Sequence, residues 1–318
     1  MRAKALIRIT FLGAFIAWLA LIFSDVTILF SDIRGLTPDV PVWLPRFMFD
    51  LYVLCLFVYY KFKIEKEESL NFTDLLWRVF ATGLVATVGS LGLRLVLFLL
   101  GNTALASNVL FIDVVYHINL ALFLGFLLAA FTSWKRLILY QKSKWLIRIW
   151  NVFEFALLFA LLYDSLNSVA EGTLGTIIAL LLGGLGLVLT ANMKWVAYLN
   201  FKQKWTSLLL LLLAFFYLGY FFYTTTRLAD LIGIQSTSFL DFRGHTFSLS
   251  IFGFVMVYSL FSFLVILFNL PTSSVFEQKL EEVVNFQRIS QSIQTEQSEE
   301  SVYNILLESS VSSVFADA

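Results

Sequence analysis

The stretch VLFIDVVYHINLALFLGFLLAAFTSW, residues 109–134, decides the fold. It is apolar almost throughout and exceeds the roughly 20 residues that carry a helix across a bilayer. Its two ionisable groups, Asp113 and His117, are four residues apart and share one helix face. Seven further stretches read as spans: Ile7 to Phe30, Arg46 to Tyr60, which is the shortest and falls below that length, Leu75 to Leu100, Leu146 to Leu166, Thr173 to Tyr198, Trp205 to Leu228 and Thr246 to Leu270. The expected fold class is all-α, a polytopic membrane helix bundle of about eight spans over residues 1–271. A juxtamembrane signalling helix or linker, 272–297, and a closing helix, 298–318, follow it.

Composition supports this reading. Hydrophobic residues make up 59% of the chain and charged residues only 14%, against roughly 25% charge in an ordinary soluble domain. The formal net charge of zero gives no basic surplus for nucleic acid. Cys55 is the single cysteine and there are two histidines, so no intrachain disulfide forms and a His/Cys metal cage is not expected. No metal or cofactor is assigned. The basic start Met1-Arg2-Ala3-Lys4 precedes an apolar run reaching Phe30. That run is longer than the 7 to 15 residues of a signal-peptide core, so a first membrane helix is expected.

Basic residues set the orientation, because cytoplasmic loops collect Lys and Arg. The N-terminus (Arg2, Lys4, Arg8) and the connections holding Lys61, Lys63 and Lys66, then Lys135, Arg136, Lys142, Lys144 and Arg148, then Lys194, Lys202 and Lys204, carry fourteen. The alternate connections carry four: Arg34, Arg46, Arg227 and Arg243. Both termini are therefore expected in the cytoplasm, in a multi-pass protein of a bacterial inner membrane. Trp77, Trp134, Trp145, Trp195 and Trp205 fall at the cytoplasmic helix ends, where indoles favour the headgroup level. The outer connections 31–45 and 229–245 are too short for a folded external domain.

All four prolines lie outside or at the edge of the spans, and Pro271 is expected to end the last one. The interrupted helices in two matching halves that build many transporter sites are not seen. Gly89, Gly92, Gly183, Gly184 and Gly186 read as close helix packing.

Ionisable groups inside a bilayer are costly, and each is a functional candidate. At about 1.5 Å per residue, Asp25, Asp50, Arg94 and Asp113 come out roughly 6 to 10 Å below the outer boundary. His117 is one turn deeper; Asp164, Tyr220, Tyr223 and Arg227 lie towards the same side, and Glu154 nearer the middle. Two readings compete. In one, Arg94 neutralises one or two aspartates and the remainder reach water. In the other, the layer is an outward-facing pocket for a small molecule or a proton, with Asp25, Asp50, Arg94, Asp113, His117, Tyr220 and Arg227 as its groups. A proton relay through Glu154 and His117 is a third. An Asp113 and His117 metal site has only two ligands in view. No phosphate loop, nucleophile elbow or HExxH is present, so no catalytic residue is assigned and the chain is not read as an enzyme.

In the tail, Thr272-Ser273-Ser274 can cap a new helix with Phe276, Leu280, Val283 and Val284 at helical spacing. Leu280, Val283 and Val284 are the candidates for signal transmission and for a homodimer seam. Ser298, with Glu299 and Glu300 in the first turn, starts another helix. Phe286 to Ser290, Ser298 to Leu307 and the closing Phe315-Ala316-Asp317-Ala318 resemble the entry to a GAF domain. The resemblance covers about the last 35 residues and implies that a sheet would follow. A multi-span region, a signalling helix and a GAF entry together resemble bacterial SpoIIE/RsbU-type serine/threonine phosphatases, and also sensor histidine kinases and diguanylate cyclases; the Phe-rich spans and the Asn269 to Gln294 linker look most like the phosphatases. The resemblance implies a sensory input module, with the phosphatase chemistry in a longer parent protein. The alternative is a small-solute or proton-coupled transporter. The partners on these readings are the lipid bilayer, a small-molecule ligand and a second copy of the chain.

Overall fold

The computed structural model describes residues 2–65, 71–101, 103–141, 143–166, 173–234 and 239–295, with 303, 304 and 307. Among them there is no strand. Eight long helices occur in chain order: α1 (Arg2–Ile33), α2 (Leu44–Glu65), α3 (Phe72–Leu100), α4 (Val109–Ile138), α5 (Lys144–Leu166), α6 (Thr173–Thr190), α7 (Phe201–Gly233) and α8 (Thr246–Thr295). Seven of them are long and apolar enough to cross a membrane. The exception is α2, which has the length but carries Arg46, Asp50, Lys61, Lys63 and Glu65 within its 22 residues. It packs along α1 as a full member of the bundle.

The sequence starts its helices with local signals. Asn108 accepts from the Leu110 amide at 2.9 Å before α4. At α7, Asn200 accepts from the Gln203 amide at 2.8 Å while the Gln203 side chain accepts from the Asn200 amide at 3.1 Å. These reciprocal bonds satisfy amides that have no intrahelical partner.

The stretch at 109–134 becomes the axis of the molecule. Helix α4 touches α1, α2, α3, α7 and α8, and 72% of its most apolar window is buried, against 17% for α1 and α3. Phe123 stacks on Phe221 with ring centroids 5.6 Å apart, and Phe131 meets Trp150 at 5.4 Å and Phe254 at 5.6 Å. The outer helices turn Ile9, Phe98, Phe155 and Leu180 outwards, each more than 60% exposed. A rim this apolar suits lipid rather than water. Helix association in lipid has no hydrophobic drive of its own and depends on close packing.

Glycine locates the tightest contact, and it is not at the glycine pairs singled out in the sequence. Gly92, Gly183 and Gly184 have open space where a Cβ would stand. Gly83 is different: an added Cβ would lie 2.5 Å from the Tyr217 ring and 2.9 Å from the Phe126 ring. Gly83→Leu is therefore expected to push α3 off α4 and α7 and to cost about 1–3 kcal/mol as an overpacking change. Gly183→Leu, facing open space, should leave the free energy of unfolding within about 0.5 kcal/mol of wild type, as read by thermal unfolding. Equal effects from the two would contradict this packing.

Three further expectations are corrected. Trp77, Trp145 and Trp205 are about half exposed, but Trp134 and Trp195 are core residues, with the Trp195 indole donating to Tyr258 Oη at 2.9 Å. Trp134 is drawn inside because α4 is central. Trp195 is drawn inside because α6 stops at Thr190 and a short 3-10 turn, Lys194–Tyr198, packs against α4 and α8. Pro271 closes the apolar span, Thr246–Pro271, as expected, but not the helix: α8 runs unbroken through it, so no new helix is capped at 272–274. A proline removes one amide donor, and a single lost bond is tolerable where the helix leaves its apolar stretch. Glu154 is not a free proton carrier: its carboxylate lies 2.6 Å from Lys135 Nζ and 3.4 Å from Lys61 Nζ. Lys135 is eighteen residues from His117 on α4, about 27 Å along the axis, so no relay joins Glu154 to His117.

Candidate functional site

The single polar layer expected from the sequence resolves into two sites on opposite sides of α4. Successive residues turn about 100° around a helix. Asp113 and His117 therefore share one face, towards α1, while Asn119, about 200° on from His117, faces α3 and α7.

On the first side, His117 Nε2 lies 3.2 Å from Asp25 Oδ2, and His117 Nδ1 lies 3.4 Å from Asp113 Oδ1 and 3.0 Å from the Asp113 carbonyl oxygen. All three side chains are at most 1% exposed. The Trp18 indole donates to the His117 carbonyl at 3.3 Å and fixes α1 on α4 at this level. The contact between His117 Nε2 and Asp25 is close but poorly directed. His117 Nε2, Asp25 Oδ1 and both Asp113 oxygens are left without a hydrogen-bond partner. No Lys or Arg pairs with either carboxylate among the described residues.

Charge balance constrains what this cluster holds. Two carboxylates bring two negative charges, and an imidazolium cancels only one. Neutrality requires either a second proton or a divalent cation on a neutral imidazole. The ligand atoms of Asp25, Asp113 and His117 lie within 4.8 Å of one another. That is three ligands where two were counted in the sequence, since α1 supplies Asp25, and a carboxylate–imidazole set suits a divalent cation.

Beside this cluster, aspartates from α1 and α5 hold the connection between α7 and α8 inside the bundle. Asp25 Oδ2 accepts from the Leu240 amide at 3.4 Å and Asp164 Oδ2 accepts from the Phe247 amide at 3.0 Å. Tyr116 Oη accepts from the Phe242 amide at 3.0 Å. From α2, Asp50 accepts from the Ser165 hydroxyl and lies 4.0 Å from His245 Nδ1. Burial, and then the charge of Arg46, hold His245 down at about 3, so it stands as a neutral imidazole against the Phe49 ring. At the surface Arg243 closes the connection through Asp230 and Asp241, which raise its pKa further. His245, Asp164 and Tyr116 thus hold the α7–α8 connection and the start of α8, a role the sequence does not assign to any of them. Local periodicity could not show it, because their partners, Asp50, Phe242 and Phe247, lie far away in the chain.

The other side is cationic. Arg94 of α3 lies over the Tyr220 ring, 5.2 Å from its centroid, and Arg227 Nη1 donates to Tyr223 Oη at 2.7 Å. Neither has a carboxylate within 4.0 Å among the described residues, so Arg94 does not neutralise the aspartates. The Ser90 hydroxyl donates to Asn119 Oδ1 and shares a 3.0 Å hydrogen bond with Tyr220 Oη. Asn119 Nδ2 in turn donates to Thr225 Oγ1 at 3.2 Å. Ser90, Arg94, Asn119, Tyr223 and Arg227 border a cavity of about 290 Å³ between α3, α4 and α7.

No family model, curated protein or solved structure matches this chain. Its chemistry is that of the residues just placed: one buried cluster short of positive charge, one cavity short of negative charge, and no nucleophile paired with a base in either. Of the transmission candidates, Val283 and Val284 lie on α8 and are 60% and 46% exposed. Leu280 lies on α8 with its side chain outside the described residues. Most of 298–318, where the GAF-like pattern falls, also lies outside them.

Proposed function

We propose that this chain is a membrane-embedded sensory input module that passes a signal through its last helix to a cytoplasmic GAF and output domain, of the SpoIIE-type phosphatase class. In this reading α2 crosses the bilayer with the other seven helices, both termini face the cytoplasm, and the two polar sites lie towards the outer face. One observation supports it above the rest: α8 is a single helix of 50 residues. That is about 75 Å at 1.5 Å per residue. Its start is fixed in the polar site through Asp164 and Phe247, and its far end carries the exposed Val283 and Val284. A change in the polar site that favours one packing of α8 over another is felt at the other end of a continuous rod. The stimulus must differ in its affinity for the two packings.

A proline at Val283 lies well beyond the apolar stretch of α8 and breaks the rod, at about 3 kcal/mol or more of local helix stability. With the output domain in place, Val283→Pro is expected to abolish the response of phosphatase activity to stimulus while membrane insertion stays at wild-type level. An unchanged response would remove α8 as the link. The cavity between Arg94 and Arg227 favours one rival, a solute transporter. Flux into proteoliposomes that is lost in Arg94→Ala would replace the sensory reading.

A further inference from the structure

We propose that the cavity between α3, α4 and α7 is an anion site that takes a phosphate or carboxylate group carried on an apolar body. This names the ligand class of the sensory module, and to that extent rests on the reading above.

The walls are fixed and the charge is not balanced. The C-terminal halves of α3 and α7 and the N-terminal half of α4 line the cavity. Arg94 is six residues before Leu100 and Arg227 six before Gly233, so both residues start from backbone positions about 9 Å from their helix ends. Each is positioned by a tyrosine, Arg94 by Tyr220 and Arg227 by Tyr223. A guanidinium has five N–H donors and no acceptor. Their contacts with the tyrosines occupy one donor of Arg227 and only the face of Arg94. Ser90 and Asn119, each 1% exposed, are satisfied by one another and by Tyr220 and Thr225, which holds that wall in a single arrangement.

Thr224 is the second, independent sign. It is 2% exposed, lines the same cavity, and its Oγ1 has no hydrogen-bond partner. A buried hydroxyl without a partner costs about 1–3 kcal/mol, and a cation on an apolar span without a counter-charge, Arg94 half-buried and Arg227 exposed at the cavity rim, is costly as well. One occupant relieves both: an anion whose oxygens accept from the two guanidiniums and from Thr224. Planar forks facing a shared space suit phosphate or carboxylate, which they bind bidentately. The remaining lining, including Leu93, Leu97 and Leu231, suits a hydrocarbon portion. A lipid headgroup and a soluble phosphate compound share this chemistry.

The test uses the purified full chain in neutral detergent. Wild type, Arg94→Gln with Arg227→Gln, and Arg34→Gln are titrated with phosphatidylglycerol, phosphatidylcholine and inorganic phosphate. Binding is read by native mass spectrometry and by the shift in unfolding midpoint. Arg34, which lies over Phe30, is the control for loss of one charge elsewhere. Wild type and Arg34→Gln are expected to bind an anionic probe at least about ten-fold more tightly than the double variant, with phosphatidylcholine bound equally by all. Preference for phosphatidylglycerol over inorganic phosphate assigns the ligand to the bilayer, and binding of inorganic phosphate alone assigns it to solution.

Thr224→Val keeps both charges and the volume, and is expected to weaken the same probe a few-fold even if the double variant is unstable. Equal affinity in wild type, the double variant and Thr224→Val overturns the proposal, as does absence of affinity in wild type for both anionic probes. These titrations do not read α8. Their failure therefore refutes the anion site while the sensory reading stands or falls on the distance measurement described below.

Discussion

His117→Gln is expected to be the most damaging single change outside the aromatic core. It removes the one basic side chain from a cluster in which Asp25 and Asp113 are at most 1% exposed. Removing one partner from a buried charged cluster costs about 3–5 kcal/mol, chiefly because the other charge stays buried and uncompensated. For a bundle of this size that corresponds to a fall of about 10 °C in the unfolding midpoint. The triple change Asp25→Asn, Asp113→Asn, His117→Gln keeps the shapes and removes every charge, and is expected to recover more than half of the loss. Thermal unfolding of the two variants in the same detergent checks this. Equal destabilisation would mean that the cluster acts through packing alone.

The second large effect is expected at Asp164. Its carboxylate is 4% exposed and accepts from the Phe247 amide in the first turn of α8, so α5 supplies the cap that α8 lacks in its own sequence. Asp164→Ala leaves that amide buried without a partner, at about 1–3 kcal/mol. Hydrogen exchange at the start of α8 is expected to accelerate about ten-fold or more, while α1 and α2 keep their wild-type protection. Uniform acceleration across all helices would show global loosening instead.

Much of the architecture is legible in the sequence because lipid-facing helices announce themselves by length and composition, as residues 109–134 do. The eight helical stretches and the seven strongly apolar ones follow from that. What is not legible depends on which way a helix faces its neighbours. Trp134 and Trp77 look alike as indoles near a helix end, and only the central place of α4 puts one in the core. Arg94 and Asp113 come out at one depth, and depth alone pairs them. The 3.6-residue turn and the packing of α3 on α7 send them to opposite sides of α4. Pro271 reads as a stop because local propensity opposes it, whereas a single missing hydrogen bond does not outweigh the helix on either side. Leu240 and Phe247 give no local sign that their amides meet carboxylates from helices far away in the chain.

In the proposed sensory module, α8 couples the polar site to the tail. This coupling is tested most directly by electron–electron double resonance between spin labels at Trp145, exposed at the start of α5, and Phe286, exposed on α8. The labels are introduced as cysteines in a Cys55→Ser background. If α8 couples the two ends, Asp164→Asn, which weakens the anchor at Phe247 without changing the tail, shifts the distance distribution relative to wild type. The same shift is absent when Val283→Pro is added. A distribution identical in wild type and Asp164→Asn would contradict the account.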